Sequence, residues 1–229
     1  GLFFWVRSAP KAEKADSFPS NQLRKTCTPL WLVAVLMQVV QWAPQLMLGA
    51  WASAENVAFL AVAQRTAMLT SFVLFAVNAI AAPKFAAMHA KGDSIGLQRM
   101  AIWSVRLMLL AAVPALMLML LAPEWLMSLF GEEFRTASTA LMILALGQFV
   151  NIATGSVGYL LSMTGHEREL RNNAIVSAVV GLVLGTVLIP AYGLLGASIA
   201  TAVAVASQNL LGVYQVRKHL GFNTLVFWR

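Results

Sequence analysis

Six apolar runs constrain this chain more than any other feature. They cover residues 28–50, 57–82, 100–121, 136–161, 171–190 and 194–216, each close to the 20 or so residues needed to cross about 30 Å of hydrocarbon. In lipid, a segment that does not close into a barrel satisfies its backbone only as a helix. These runs are too long and too uniformly apolar for barrel strands, which are about ten residues long and alternate. Glycine and proline punctuate the connections, at Gly92, Pro123, Gly131, Gly165 and the Pro190–Gly193 turn. Composition agrees, with 59% hydrophobic and 11% charged residues and a mean hydropathy of +0.74. The fold class is therefore all-α integral membrane, with six transmembrane helices in one unit.

The net charge of +7 has its explanation in topology, since no zinc-finger spacing, basic helix or basic aromatic sheet motif is present to read nucleic acid. Thirteen Lys and Arg fall on one side of the six spans: Arg7, Lys11, Lys14, Arg24 and Lys25 before the first, Lys84, Lys91 and Arg99 between the second and third, Arg168 and Arg171 between the fourth and fifth, and Arg217, Lys218 and Arg229 after the last. The opposite loops hold Arg135 alone, among Glu55, Glu124, Glu132 and Glu133. Cytoplasmic loops carry the basic excess, so both ends of the segment are expected in the cytoplasm. The opening GLFFWVR lacks the basic start and small-residue cleavage site of a signal peptide. Residues 1–27 are expected to be the end of a preceding helix and a cytoplasmic linker, 28–216 a six-helix lobe, and 217–229 a cytoplasmic tail.

Several spans carry polar or small residues at helical spacing. The first has Gln38, Gln41, Gln45 and Gly49, with Pro44 as a kink; the second has Gln64, Ser71 and Asn78. Gln148, Asn151, Gly155, Gly158 and Ser162 follow the same rule in the fourth span, as do Ser198, Thr201, Gln208 and Gly212 in the last. Such stripes face away from lipid, either as helix contacts or as the lining of a cavity. Ser177, Gly181 and Gly185, four apart, read as close helix contact. Arg65 and Arg106 are the basic residues within spans, and a charge there snorkels, pairs or meets a polar cavity. Arg65 lies about 100° round the helix from Gln64, where it can snorkel outward or stand at a cavity's edge.

All nine acids lie outside the spans, and His89, His166 and His219 fall on the basic side. No convergent set for acid–base or nucleophilic chemistry is apparent. The single cysteine, Cys27, forms no internal disulfide or multi-cysteine metal site. No enzyme, cofactor, metal site or nucleic-acid partner is expected.

Three stretches carry a family resemblance: SLFGEEFRTASTALMILALGQFVNIATGSVGYLLSMTGHERE (128–169), LIPAYGLLGASIATAVAVASQNLLGVYQVRKHLG (188–221) and the Pro83-Lys84-Phe85 end of the second span. Together they resemble the C-terminal half of bacterial polysaccharide and O-antigen flippases, which share a superfamily with lipid II flippases and multidrug and toxin extrusion pumps. The resemblance implies one lobe of a two-lobe exporter in the cell inner membrane, which works by alternating access. The implied substrate is a polyprenyl-diphosphate-linked oligosaccharide for surface polysaccharide. Further implied partners are membrane lipids, the N-terminal lobe of the same protein and polysaccharide-assembly proteins. Arginine suits a diphosphate, and glutamine or asparagine suits sugars. The candidate substrate-binding residues are thus Arg65, Gln38, Gln41, Gln45, Gln64, Asn78, Gln148 and Asn151. Two alternatives stand beside this reading: a cation-coupled multidrug efflux pump, which calls for intramembrane carboxylates that these spans lack, and a non-transport scaffold subunit.

Overall fold

The computed structural model describes residues 20–225, in which all regular structure is helical. In chain order the elements are α1 (Ser20–Trp51), α2 (Ala54–Met68), α3 (Ser71–Ala90), α4 (Ser94–Leu121), the short α5 (Pro123–Ser128), a 3₁₀ turn (Glu132–Ala137), α6 (Ser138–Thr154), α7 (Val157–Met163) and α8 (Glu167–Leu220). The expected preceding helix end and most of the linker lie outside the described residues. Residues 20–27, read as linker, instead belong to α1; SNQLRKTC contains no glycine or proline to stop it. Past the last helix, Phe222 and Thr224 are buried, which ties residues 221–225 to the bundle.

The 54 residues of α8 form a hairpin. Gly193 has φ 52° and ψ −122°, outside the helical region; glycine adopts such a conformation without the steric cost of a Cβ. The arms fold back on each other, so that the Ser177 hydroxyl donates to the Ala204 carbonyl at 2.7 Å. A Cβ on Gly181 would lie 3.1 Å from that of Ala204. Gly185 meets the Met47 side chain of α1. The serine–glycine stripe thus allows three helical segments to approach closely, which is how helices associate where lipid offers no hydrophobic drive.

Cross-contacts set the sense of the other segments. Phe59 packs edge-on against Phe134, Ser71 bonds Gln148, and Ser156 bonds Asn78. Both chains advance together, so α2–α3 runs parallel to α6–α7. Gly147 against Ala202 and Gly212 against Val157 make the second arm of α8 parallel to these two. Phe59 to Asn78 spans about 28 Å at about 1.5 Å per residue, close to the hydrocarbon thickness. Large apolar side chains such as Leu46, Phe72, Leu110 and Val187 point outward from the bundle, as lipid-facing positions should.

The core divides into two apolar clusters. One gathers Leu48, Leu60, Met108, Leu141 and Ile189. The other gathers Phe85, Leu97, Leu160, Val213 and Val216 toward the opposite end. A belt of buried polar residues, among them Gln64, Ser71, Asn78 and Asn173, lies between them.

Adding a methyl group at Gly147 would bring a Cβ to 2.9 Å from the Ala202 Cα and 3.0 Å from its Cβ, a backbone contact that side-chain motion cannot relieve. Gly147→Ala is expected to cost about 1–3 kcal/mol through overpacking, read as a lower thermal midpoint of the detergent-solubilised protein. Gly49→Ala meets only Val57 at an ordinary 3.5 Å and should stay within about 1 kcal/mol of the parent.

Candidate functional site

Two irregularities in neighbouring parallel helices shape the site. The first separates α2 from α3 without glycine or proline. Leu69 and Thr70 keep helical dihedrals, but the backbone bonds tighten to Leu69 N→Thr66 O, Thr70 N→Ala67 O and Phe72 N→Leu69 O. The Thr70 hydroxyl donates to the Ala67 carbonyl at 2.7 Å, and such back-bonding bends helices. The 57–82 run is thus one path with a bend midway along it. The bend also puts Arg65 in the last turn of α2, where a cation complements the helix dipole.

The second irregularity is a true break. Gly155 has φ 74° and ψ −152°, and a Cβ there would lie 2.3 Å from Val105 Cγ2 of α4. Both conformation and space require glycine. Beyond it α7 sets off afresh, with the Ser156 hydroxyl donating to Asn78 Oδ1 of α3.

Between these helices, α1 and the two arms of α8 lies a cavity of about 510 Å³, within the usual range of about 300–1,000 Å³ for small-molecule sites. Among the described residues, no Asp, Glu, Lys, Arg or His lines it. Its polar atoms are carboxamides and hydroxyls, many of them already paired. Gln148 Oε1 accepts from Ser71 Oγ at 3.1 Å and from Asn151 Nδ2 at 3.2 Å. Thr201 donates to the Ala197 carbonyl, and Asn209 to Val205.

Of the eight residues proposed from the sequence, Gln41, Gln64, Asn78, Gln148 and Asn151 line this cavity. Gln38, Gln45 and Arg65 do not. The cavity face of α1 runs through Val33, Met37 and Gln41, and Gln38, one residue past Met37, is exposed about 100° round the helix. Gln45 donates instead to Gln64, which holds α1 to α2. Arg65 is exposed, one residue beyond buried Gln64.

The candidate list omitted Ser71, Ser156, Asn173, Gln208 and Asn209, all of which line the cavity. Ser71 and Gln208 belonged to stripes already visible. Asn173 stands near the start of α8, four residues before Ser177, and so extends the Ser177–Gly181–Gly185 stripe, which reads as helix contact and not as a site. Folding the chain at Gly193 brings it level with Gln208, by the register of Ser177 with Ala204, and that pairing is the signal that could have found it.

The two ends of the bundle differ chemically. At one end His219 Nε2 lies 3.6 Å from Glu169 Oε1, and its ring is 4.6 Å from that of His166, with Arg168, Arg171, Arg217 and Lys218 nearby in sequence. At the other, Glu55, Thr136 and Tyr192 border a second hollow of about 530 Å³, near the exposed Arg135–Glu132 pair at 3.0 Å.

Membrane-length helices in alternating directions around a cavity set with carboxamides are the architecture of a multi-pass membrane transporter. The chain belongs to the MatE family, whose model matches residues 29–187. Over 171 residues it is 25% identical to the probable low-salt glycan biosynthesis flippase Agl15 of Haloferax volcanii, an alignment that takes in 74% of this chain and 36% of that relative. The chain thus spans little more than a third of the relative's length. These findings support the resemblance to the polysaccharide flippase and exporter family. MatE transporters and flippases move substrates and are not catalytic enzymes.

The link between Ser156 and Asn78 is buried and joins two separate helices, so its worth can be isolated. A double-mutant cycle of Ser156→Ala and Asn78→Leu, followed by thermal unfolding in detergent, is expected to give a coupling energy of about 0.6–1.7 kcal/mol, the range for hydrogen bonds between membrane helices. A coupling near zero would show that the pair does not hold α3 to α7.

Proposed function

We propose that the protein flips a polyprenyl-diphosphate-linked oligosaccharide across the cytoplasmic membrane for surface polysaccharide such as O-antigen, and that this chain forms one lobe of an alternating-access transporter. The observation that carries this reading is the cavity: neutral, rich in carboxamides and membrane-embedded. Carboxamides both donate and accept, as sugar hydroxyls do, and they oblige no ion to enter. The glycan flippase among the relatives supports the same substrate class.

The basic end is taken to face the cytoplasm, so that both ends of the segment lie there and loading would occur between the Arg- and Lys-rich turns. The N-terminal lobe would complete the cavity. Arg65, beside Gln64 on an exposed face, would draw the diphosphate to the rim of the polar belt while the lipid tail stays in the bilayer. The chain itself would carry out no covalent chemistry and use no cofactor or metal. Polysaccharide-assembly proteins would receive the product.

Depleting the protein in its native cell is expected to strand lipid-linked oligosaccharide in the inner leaflet, lower surface polysaccharide and leave tolerance to cationic drugs unchanged. Loss of drug tolerance with normal polysaccharide would reverse the assignment in favour of an efflux pump. Arg65→Ala, at equal membrane abundance, should lower surface polysaccharide about tenfold, on the scale of one lost charge-assisted hydrogen bond. Normal polysaccharide at equal abundance removes Arg65 from the mechanism.

A further inference from the structure

Asn173 is 3% exposed, lines the cavity and has an amide nitrogen with no hydrogen-bond partner. Buried donors are almost always paired, and an unpaired one is costly away from water. Its neighbours at the same depth are partly committed to each other: Asn151 donates to Gln148, and Ser156 to Asn78. Asn173 is therefore a buried donor left over beside groups that are paired with one another. Leu170, one turn before it, packs into the apolar cluster below, and Ser177, one turn after it, is bonded to Ala204. These contacts hold the helix on both sides of Asn173, so the open donor is not the product of a loose segment.

The chemistry around it selects the ligand. With no Asp, Glu, Lys, Arg or His among the described residues lining the cavity, a diphosphate would enter without a counter-charge, at a heavy desolvation cost. A neutral polyhydroxylated group would not, because each hydroxyl or acetamido carbonyl can accept from an amide while its own O–H or N–H finds a carbonyl oxygen. Phe75 and Tyr159 also line the cavity and offer apolar ring faces to the C–H side of a sugar.

On the reading that the protein moves a lipid-linked oligosaccharide, we propose that Asn173 is a specificity-determining residue. Its amide donates to an oxygen of a neutral sugar unit, and the cavity takes up the glycan while the diphosphate stays outside it. Since the donor is unused in the ligand-free protein, removing it should leave folding intact and weaken only the glycan-bearing ligand.

The test uses the whole protein as it occurs in its membrane, reconstituted in lipid nanodiscs. Binding is followed with two probes: a short-chain polyprenyl diphosphate carrying an uncharged N-acetylhexosamine disaccharide, and the same polyprenyl diphosphate without sugar. Asn173→Leu, close in shape but without a donor, should weaken the glycosylated probe about tenfold, as one hydrogen bond to a ligand is worth. It should leave the sugar-free probe unchanged and the ligand-free thermal midpoint equal or higher. Asn173→Ser, which keeps a donor, should retain most of the glycosylated binding and covers the case in which the leucine variant does not fold. If both probes weaken together, or neither does, the assignment to Asn173 is overturned and the flippase reading stands. A lower thermal midpoint in both variants would make the residue structural and overturn it equally. If the unsubstituted protein binds neither probe, the flippase reading itself fails, and the inference falls with it.

Discussion

A polar side chain inside a membrane protein must find a partner within the protein, because hydrocarbon supplies none. The arrangement of this bundle follows from that constraint. Many of its buried polar groups lie between two apolar clusters, where they bind each other across helices: Gln45 with Gln64, Ser71 with Gln148, Ser156 with Asn78. The hydroxyls left over turn to backbone carbonyls of their own helix, as at Thr66 and Thr201. The cavity opens where these pairings leave polar atoms without protein neighbours. The site and the packing are thus two results of one requirement.

Much of this was legible because a bilayer imposes a single length scale. The all-helical membrane fold and the polar stripes could be read from spacing alone, and five of the eight candidate site residues do line one cavity, although the break at Gly155 within the 136–161 run was read only as a stripe position. The rest depended on relations that spacing does not carry. Gln38 shares a stripe with Gln41, but about 60° of helical rotation separates them, and packing decided which side faced inward. The bend at Thr70 arises from one hydroxyl choosing a carbonyl three residues back, in a sequence with neither glycine nor proline. Arg65, odd in an apolar run, becomes ordinary once that bend turns its neighbourhood into a helix end. Asn173 extends a stripe that spacing alone reads as helix contact, and its place at the cavity shows only in what stands across the hairpin from it.

The two glycines that interrupt helices show why residue type alone is a poor guide to role. Gly193 has nothing within 4 Å of where its Cβ would be, so it is needed for backbone shape and could face any surroundings. Gly155 needs both shape and room, because α4 presses against it. Only the second is tied to the cavity, and it places Ser156 against Asn78. Distinguishing them requires knowledge of the neighbour.

The links Ser71–Gln148 and Ser156–Asn78 join the same two bent helices at two heights. A single pin lets one rod swivel on another, whereas two pins remove both the swivel and the slide. The α2–α3 and α6–α7 paths therefore share their degrees of freedom and form a rigid plate across the membrane. Among the described residues, α1 meets that plate through one side-chain bond, Gln45 to Gln64, which lies toward one end of the helix. Its larger hold is on the α8 hairpin, where Met47 seats against Gly185, so α1 is a member that ties the plate to α8.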